Sequence, residues 1–226
     1  VPTTLLAQTD AAIGGKTGVN FGKLKNMIGT FAQPLGVICD TEFLSTLPQR
    51  EYISGFAEVI KHALITDSKF FKYLSGKELA TLSGSELEQV LHKSCEIKCK
   101  VVSVDMNEKG LRKTLNFGHT VGHAIAMASY ETGQTLLHGE AVAVGMIAEA
   151  KLSQLAGLIS AKDVSAIEEL MVQAKLPTRV SKKLEKKILE KIVSDKKNEK
   201  QKIKWVLLKG IGKAVIDVEQ PARLIK

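Results

Sequence analysis

From Arg50 onward, apolar residues recur at three- and four-residue intervals, the spacing of helices that bury one face. The pattern predicts helices over residues 50–65, 68–75, 84–106, 111–130, 138–156, 160–174 and 183–193. Pro48 ahead of Arg50 and Glu51 is a helix-start signal, and Ser83 to Glu86 offers a capping box. Two stretches follow a different pattern. LGVICD at 35–40 is a short apolar run ending in an acid, which predicts a buried strand with Asp40 at its carboxyl end. KIKWVLLKGIGKAVIDVE at 202–219 predicts two short strands turning at Gly210 to Gly212. The first 34 residues show neither period and predict a loop region. The expected architecture is an α/β N-terminal remnant (1–48) followed by a mainly α-helical domain (49–226). One early strand cannot make a sheet and the first residue is Val, so the chain is expected to be a piece of a longer protein.

Composition narrows the class. Of 226 residues, 44% are hydrophobic and 25% charged, as in ordinary globular domains. No apolar run approaches the roughly 18 residues of a membrane span, and the start carries no signal segment, so no membrane partner and a cytoplasmic location are expected. Cys39, Cys95 and Cys99 form no CxxC pair and suggest reduced, buried thiols. The net charge of +8 owes much to ten lysines between Ser181 and Trp205, but Glu185, Glu190, Asp195 and Glu199 interleave with them, as on a solvated face. With 5% aromatic residues and no nucleic-acid module, no nucleic-acid partner is expected.

The chemistry concentrates in LNFGHTVGHA (115–124) and LLHGEAVAVGM (136–146). His119 and His123 are four apart and share a face on a helix, His138 follows closely, and each lies beside a glycine. Such a cluster suits a metal or a phosphate. Glu58 and Lys61 share a face of the helix over 53–65, where a surface ion pair is an equally good reading until the histidines are considered; a carboxylate with two imidazoles is a set that Zn²⁺ accepts with positions left open. Lys98, Asp105, Glu108, Arg112 and Asn116 form a polar stripe leading into the histidines, an anion-binding wall rather than a wet face. In GGKTG (14–18) and KLKNMIG (23–29), glycines beside Lys16, Lys25 and Asn26 could meet phosphate. GGKT is not a Walker motif, because Asp10 stands where the first glycine would be needed.

Six motifs in order, VPTTLLAQTDAAIGGKTGVN, KNMIG, TLPQREYISGFAEVIKHALI, EKGLRKTLNFGHTVGHA, LLHGEAVAVGM and SDKK, make the chain resemble the 3-dehydroquinate synthase family over nearly its whole length. The resemblance implies a Zn²⁺ site, with Co²⁺ as a substitute, at Glu58, His119 and His138, so that the second histidine of the first motif goes to substrate. It implies NAD⁺ contacts at Thr3, Thr4, Lys16, Lys25, Phe43, Leu44, Ser45 and Thr46. Asp10, Lys61 and Glu108 would meet substrate hydroxyls; Lys98, Arg112 and Lys197 or its neighbour Lys196 its carboxylate; Lys16, Asn26, Asn116 and His123 its phosphate. The implied reaction converts 3-deoxy-D-arabino-heptulosonate 7-phosphate to 3-dehydroquinate and phosphate, in a homodimer whose Gly-rich dinucleotide-binding part and cross-subunit arginine precede Val1. The chain alone is then expected to bind Zn²⁺ and turn over little. Leu24, Met106 and Ala126 depart from the family pattern, and none is an implied ligand. Another sugar phosphate cyclase and a noncatalytic helical module with a structural metal are the competing readings; the ring of cations argues against both.

Overall fold

The computed structural model describes residues 1–21, 24–182, 184–188 and 203–219, with only the backbone course given for 20, 21 and 24–27. The centre is helix α1 (Gln49–Thr66), which is buried almost continuously from Ser54 to Ile65. It enters at Pro48, as the sequence predicts. Helices α2 (Ser68–Ser75), α3 (Gly84–Val104), α4 (His119–Thr132), α5 (His138–Leu155) and α6 (Ala161–Gln173) surround or adjoin it. One large apolar cluster joins Phe56, Ile60 and Leu64 of α1 to Val142 and Met146 of α5, Ile167 and Met171 of α6, and Leu208.

Glycine permits the contacts that matter. A β-carbon at Gly139 would overlap the Ser54 carbonyl oxygen of α1, and one at Gly145 would overlap the carbonyl oxygen of Gly118, just ahead of α4. At both points a backbone lies where a side chain would otherwise begin. The first turn of α1 is also clamped to the first turn of α5: Arg50 Nε and Nη2 each donate to Glu140 at 2.7 Å, and Nη2 reaches Thr135 O at 3.0 Å.

Several expectations need correction. Residues 35–40 form no strand; Leu35 and Ile38 are exposed, and Asp40 instead caps a 3₁₀ turn (Thr41–Thr46) by accepting from Glu42 N at 2.9 Å. The apolar run finds no pairing edge among the described residues. Pairing occurs instead between β1 (Val19–Phe21) and β2 (Leu24–Ile28), strands too short to show a period. The predicted helix 111–130 is two elements. A 3₁₀ segment (Leu111–Asn116) ends at Phe117, and Gly118, at φ 81°, turns the chain so that α4 begins at His119. Ahead of the 3₁₀ segment, the Asp105 carboxylate gathers the N–H groups of Lys109, Gly110 and Arg112 into a tight loop. Ser83 stands at the start of α3 but makes no side-chain cap. Cys39 and Cys99 are exposed rather than buried.

The hairpin of β3 (Lys204–Leu208) and β4 (Ala214–Glu219) forms as expected. Residues 184–188 are helical; the rest of the predicted 183–193 helix lies outside the described residues. No helix among those described is long and apolar enough to cross a membrane.

The close approach gives a direct test. Gly145→Ala should lose about 2–4 kcal/mol of stability in denaturant unfolding, because its β-carbon must push a backbone carbonyl rather than a flexible side chain. An unchanged midpoint would mean that α4 and α5 do not touch there.

Candidate active site

Glu58 is fully buried on α1, and its two oxygens face different ways. Oε1 lies 3.0 Å from His138 Nε2 and 3.7 Å from His119 Nε2, while Oε2 pairs with the Lys61 ammonium. Burial overturns the surface ion-pair reading of Glu58 and Lys61. The three donor atoms of Glu58, His119 and His138 lie within 4.8 Å of one another. Two tetrahedral ligands at about 2.1 Å from one ion stand about 3.4 Å apart, so these separations suit a single divalent cation. His119 is prepared for such a role: Nδ1–H points at Phe117 O, 3.2 Å away, leaving Nε2 toward Glu58. Burial first, and then Lys61, push its imidazole down to about 3, so it stays neutral, as a ligand must.

A second group of donors, Asp10, Glu58 and His62, is equally compact. It is a poor cation site because ammonium groups already fill it: Lys98 Nζ lies 2.7 Å from Asp10 Oδ1, and Lys61 holds Glu58. Burial and Glu58 push the Asp10 carboxyl up, but Lys61 and Lys98 outweigh them and it ends below its ordinary value. Glu58 lies well below its own; burial opposes ionisation, and Lys61 and the two histidines prevail. Two paired charges of each sign make this inner cluster neutral overall, which is the condition for burying them. His62 belongs here too. Its Nδ1 meets Ser94 Oγ at 2.8 Å, linking α1 to α3 one turn before Lys98, and burial followed by Lys61 pushes it down to about 3. Sequence reading missed His62, although it stands one turn after Glu58 on the same helix.

His119 also faces a second space, a cleft of about 440 Å³ lined by Glu108, Asn116, Thr120, His123, Lys204 and Asp217 among others. Glu108, in a left-handed conformation at φ 57°, accepts from Asn116 Nδ2 at 2.7 Å and pairs with the Lys16 ammonium. The His123 and His119 rings meet edge to face, centroids 5.3 Å apart. Arg112 is buried and donates through Nη1 to Met106 O and Nη2 to Gly14 O, at 2.7 and 2.8 Å. It therefore ties the Gly-rich loop to the site.

The remaining expected residues are placed less completely. Gln8 Nε2 donates to Asp40 O at 2.7 Å and Pro2 O at 3.3 Å, which holds the Thr3–Thr4 segment beside the 3₁₀ turn carrying Phe43, Ser45 and Thr46. Thr3, Phe43, Ser45 and Thr46 are exposed, as one wall of a dinucleotide site would be, whereas Leu44 is in the core and Thr4 Oγ1 accepts from Ala7 N. The side chains of Lys25 and Asn26, and all of Lys196 and Lys197, lie outside the described residues.

The model of the 3-dehydroquinate synthase C-terminal domain matches residues 55–198, and that of the N-terminal domain matches residues 1–54. The chain belongs to the 3-dehydroquinate synthase family. It is 44% identical to 3-dehydroquinate synthase of Thermoanaerobacter pseudethanolicus, covering 100% of this chain and 64% of that protein, and 44% identical to that of Pelagibacter ubique, covering 97% and 61%. The chain thus spans about three fifths of the synthases it matches. Among solved structures, 2-deoxy-scyllo-inosose synthase with carbaglucose-6-phosphate, NAD⁺ and Co²⁺ is 29% identical with a TM-score of 0.85, covering 100% of this chain and 64% of that one. The 2-epi-5-epi-valiolone synthase of Streptomyces hygroscopicus subsp. jinggangensis, with NAD⁺ and Zn²⁺, is 31% identical with a TM-score of 0.81, covering 99% and 62%.

The clamp that delivers His138 to Glu58 is pH-dependent. Burial pushes Glu140 up, but the Arg50 fork and the Leu137 N–H outweigh it, so the carboxyl sits below its ordinary value of 4.5. Stability from this group is present above the unfolded value and disappears as pH falls through the folded one. Glu140→Gln should therefore cost about 1 kcal/mol at pH 7, and its gap to the unmodified protein should close on acidification below pH ~4.5. A gap independent of pH would show that the charge is not what matters.

Proposed function

We propose that the protein carrying this chain converts 3-deoxy-D-arabino-heptulosonate 7-phosphate to 3-dehydroquinate and phosphate, with Zn²⁺ or Co²⁺ at Glu58, His119 and His138 and NAD⁺ against Thr3, Thr4, Lys16, Lys25 and Phe43–Thr46. The observation that carries the reading is the junction at His119, which belongs at once to the buried donor set and to the polar cleft. In the overall chemistry a secondary alcohol of the substrate is oxidised, the ketone acidifies the neighbouring C–H, and phosphate leaves. The ketone is then reduced, the ring opens and an intramolecular aldol closes the carbocycle. When bound, NAD⁺ would accept and return the hydride and the metal would polarise the reacting oxygen.

The chain's own residues bind and orient. Asn116, His123 and Lys16, with Asn26, would hold the phosphate in the cleft, and its departure one helical turn from His119 keeps both ends of the reacting unit on α4. Lys98 and Arg112, with Lys197 or Lys196, would hold the carboxylate, while Asp10, Lys61 and Glu108 meet hydroxyls. Lys98 and Lys61 rest on Asp10 and Glu58, so the cations are pre-placed and need only exchange partners. Two domains meeting near residue 49 and a homodimeric assembly complete the reading.

A related cyclase acting on a sugar phosphate without a carboxylate is the competitor. The higher identity to the 3-dehydroquinate synthases and the buried Lys98 and Arg112 favour the heptulosonate. The complete protein should release phosphate from the heptulosonate 7-phosphate and not from sedoheptulose 7-phosphate. Lys98→Met should lower kcat/KM roughly 100-fold, the worth of one charge-assisted contact left unmade. Turnover of sedoheptulose 7-phosphate alone would sink the assignment.

A further inference from the structure

Helix α4 carries both His119 and His123, yet nothing in its own sequence caps it. The residue at its N-cap is Gly118, in a left-handed conformation at φ 81° and with no side chain to accept from the first turn. A capping side chain is sterically barred there, since a β-carbon on Gly118 would overlap Met146 and approach the Val142 carbonyl of α5. The orphan N–H groups of α4 are met from outside. Glu149 of α5, fully buried, accepts from Gly118 N at 2.7 Å through Oε2 and from Val121 N at 3.2 Å through Oε1, and the Thr120 N–H also reaches it.

We propose that Glu149 is a positioning residue: its carboxylate, lent by α5 to the start of α4, sets where His119 Nε2 stands relative to Glu58 and His138. This rests on the reading that these three residues bind a metal. The same helix presents His138 at its first residue and Glu149 about three turns later, so α5 supplies one ligand and anchors the element that supplies another. The chemistry of the anchor is specific. Three N–H donors converge on two oxygens, a demand that only an acceptor on both sides can meet. The positive end of the α4 dipole adds to it. A buried carboxylate whose partners among the described residues are backbone N–H groups is costly unless that geometry is needed. Burial raises the Glu149 carboxyl above its ordinary value, while the three N–H donors oppose that shift and favour the ionised form.

The test uses Co²⁺ as the probe, because its visible absorption reports ligand number and geometry without turnover. Glu149→Gln turns an amide NH₂ toward one of the α4 donors and should weaken Co²⁺ binding roughly 10–100-fold and change the absorption band. Leu170→Ala, a core truncation on α6, serves as the control: it should lower stability but leave the band and the affinity as in the unmodified protein. If Glu149→Gln does not fold, Glu149→Asp, which keeps both carboxyl oxygens but withdraws them by one methylene, carries the same comparison and should weaken binding to a smaller extent. A folded Glu149 variant with unmodified affinity and spectrum overturns the proposal, as does an equal spectral change in Leu170→Ala. Failure of the unmodified protein to bind Co²⁺ would instead refute the metal reading on which the proposal rests.

Discussion

Backbone-to-backbone contact among α1, α4 and α5 is the constraint from which the site follows. Gly139 lets the first turn of α5 rest on the Ser54 carbonyl, and Gly145 lets the same helix rest on the carbonyl that precedes α4. Only at such separations can a carboxylate from α1 and imidazoles from the first residues of α4 and α5 meet. A β-carbon at either position would overlap a backbone carbonyl oxygen and force apart the helices that carry the histidines. The Arg50–Glu140 clamp holds the same junction from its solvent side.

Charge balance is the second requirement. Glu58 and Asp10 are buried with Lys61 and Lys98, and the neutral His62 lies among them. Each ammonium holds a carboxylate that a substrate or a cation could take over. Paired in this way, the four charges can share one buried cluster with no net charge. Arg112 differs: two of its nitrogens already hold Gly14 and Met106, so part of its work is to keep the Gly-rich loop against the site.

Most of the helices and the C-terminal hairpin were legible in the sequence because each rests on local spacing, and the grouping of Glu58, His119 and His138 because each lies in a motif. His119 and His123 showed their shared face through their four-residue separation, and Pro48 marked the start of α1. What was illegible depends on partners far along the chain. LGVICD has strand composition but no pairing edge among the described residues. The break at Gly118 comes from contact with Met146 and from Glu149, thirty-one residues later. Glu149 itself sits in an apolar run, GMIAEAKL, where a lone acid reads as a solvated position on an amphipathic helix; its burial follows from α4 folding over it. His62 was hidden for a similar reason, since only the approach of Ser94 and Asp10 gives it a polar setting.

Anomalous diffraction from crystals of the protein grown with Zn²⁺ tests the metal centre most directly. A single zinc peak within about 2.0–2.2 Å of Glu58 Oε1 and of Nε2 of both His119 and His138 is the expected result. A peak among Asp10, Glu58 and His62, or none near Glu58, would contradict it.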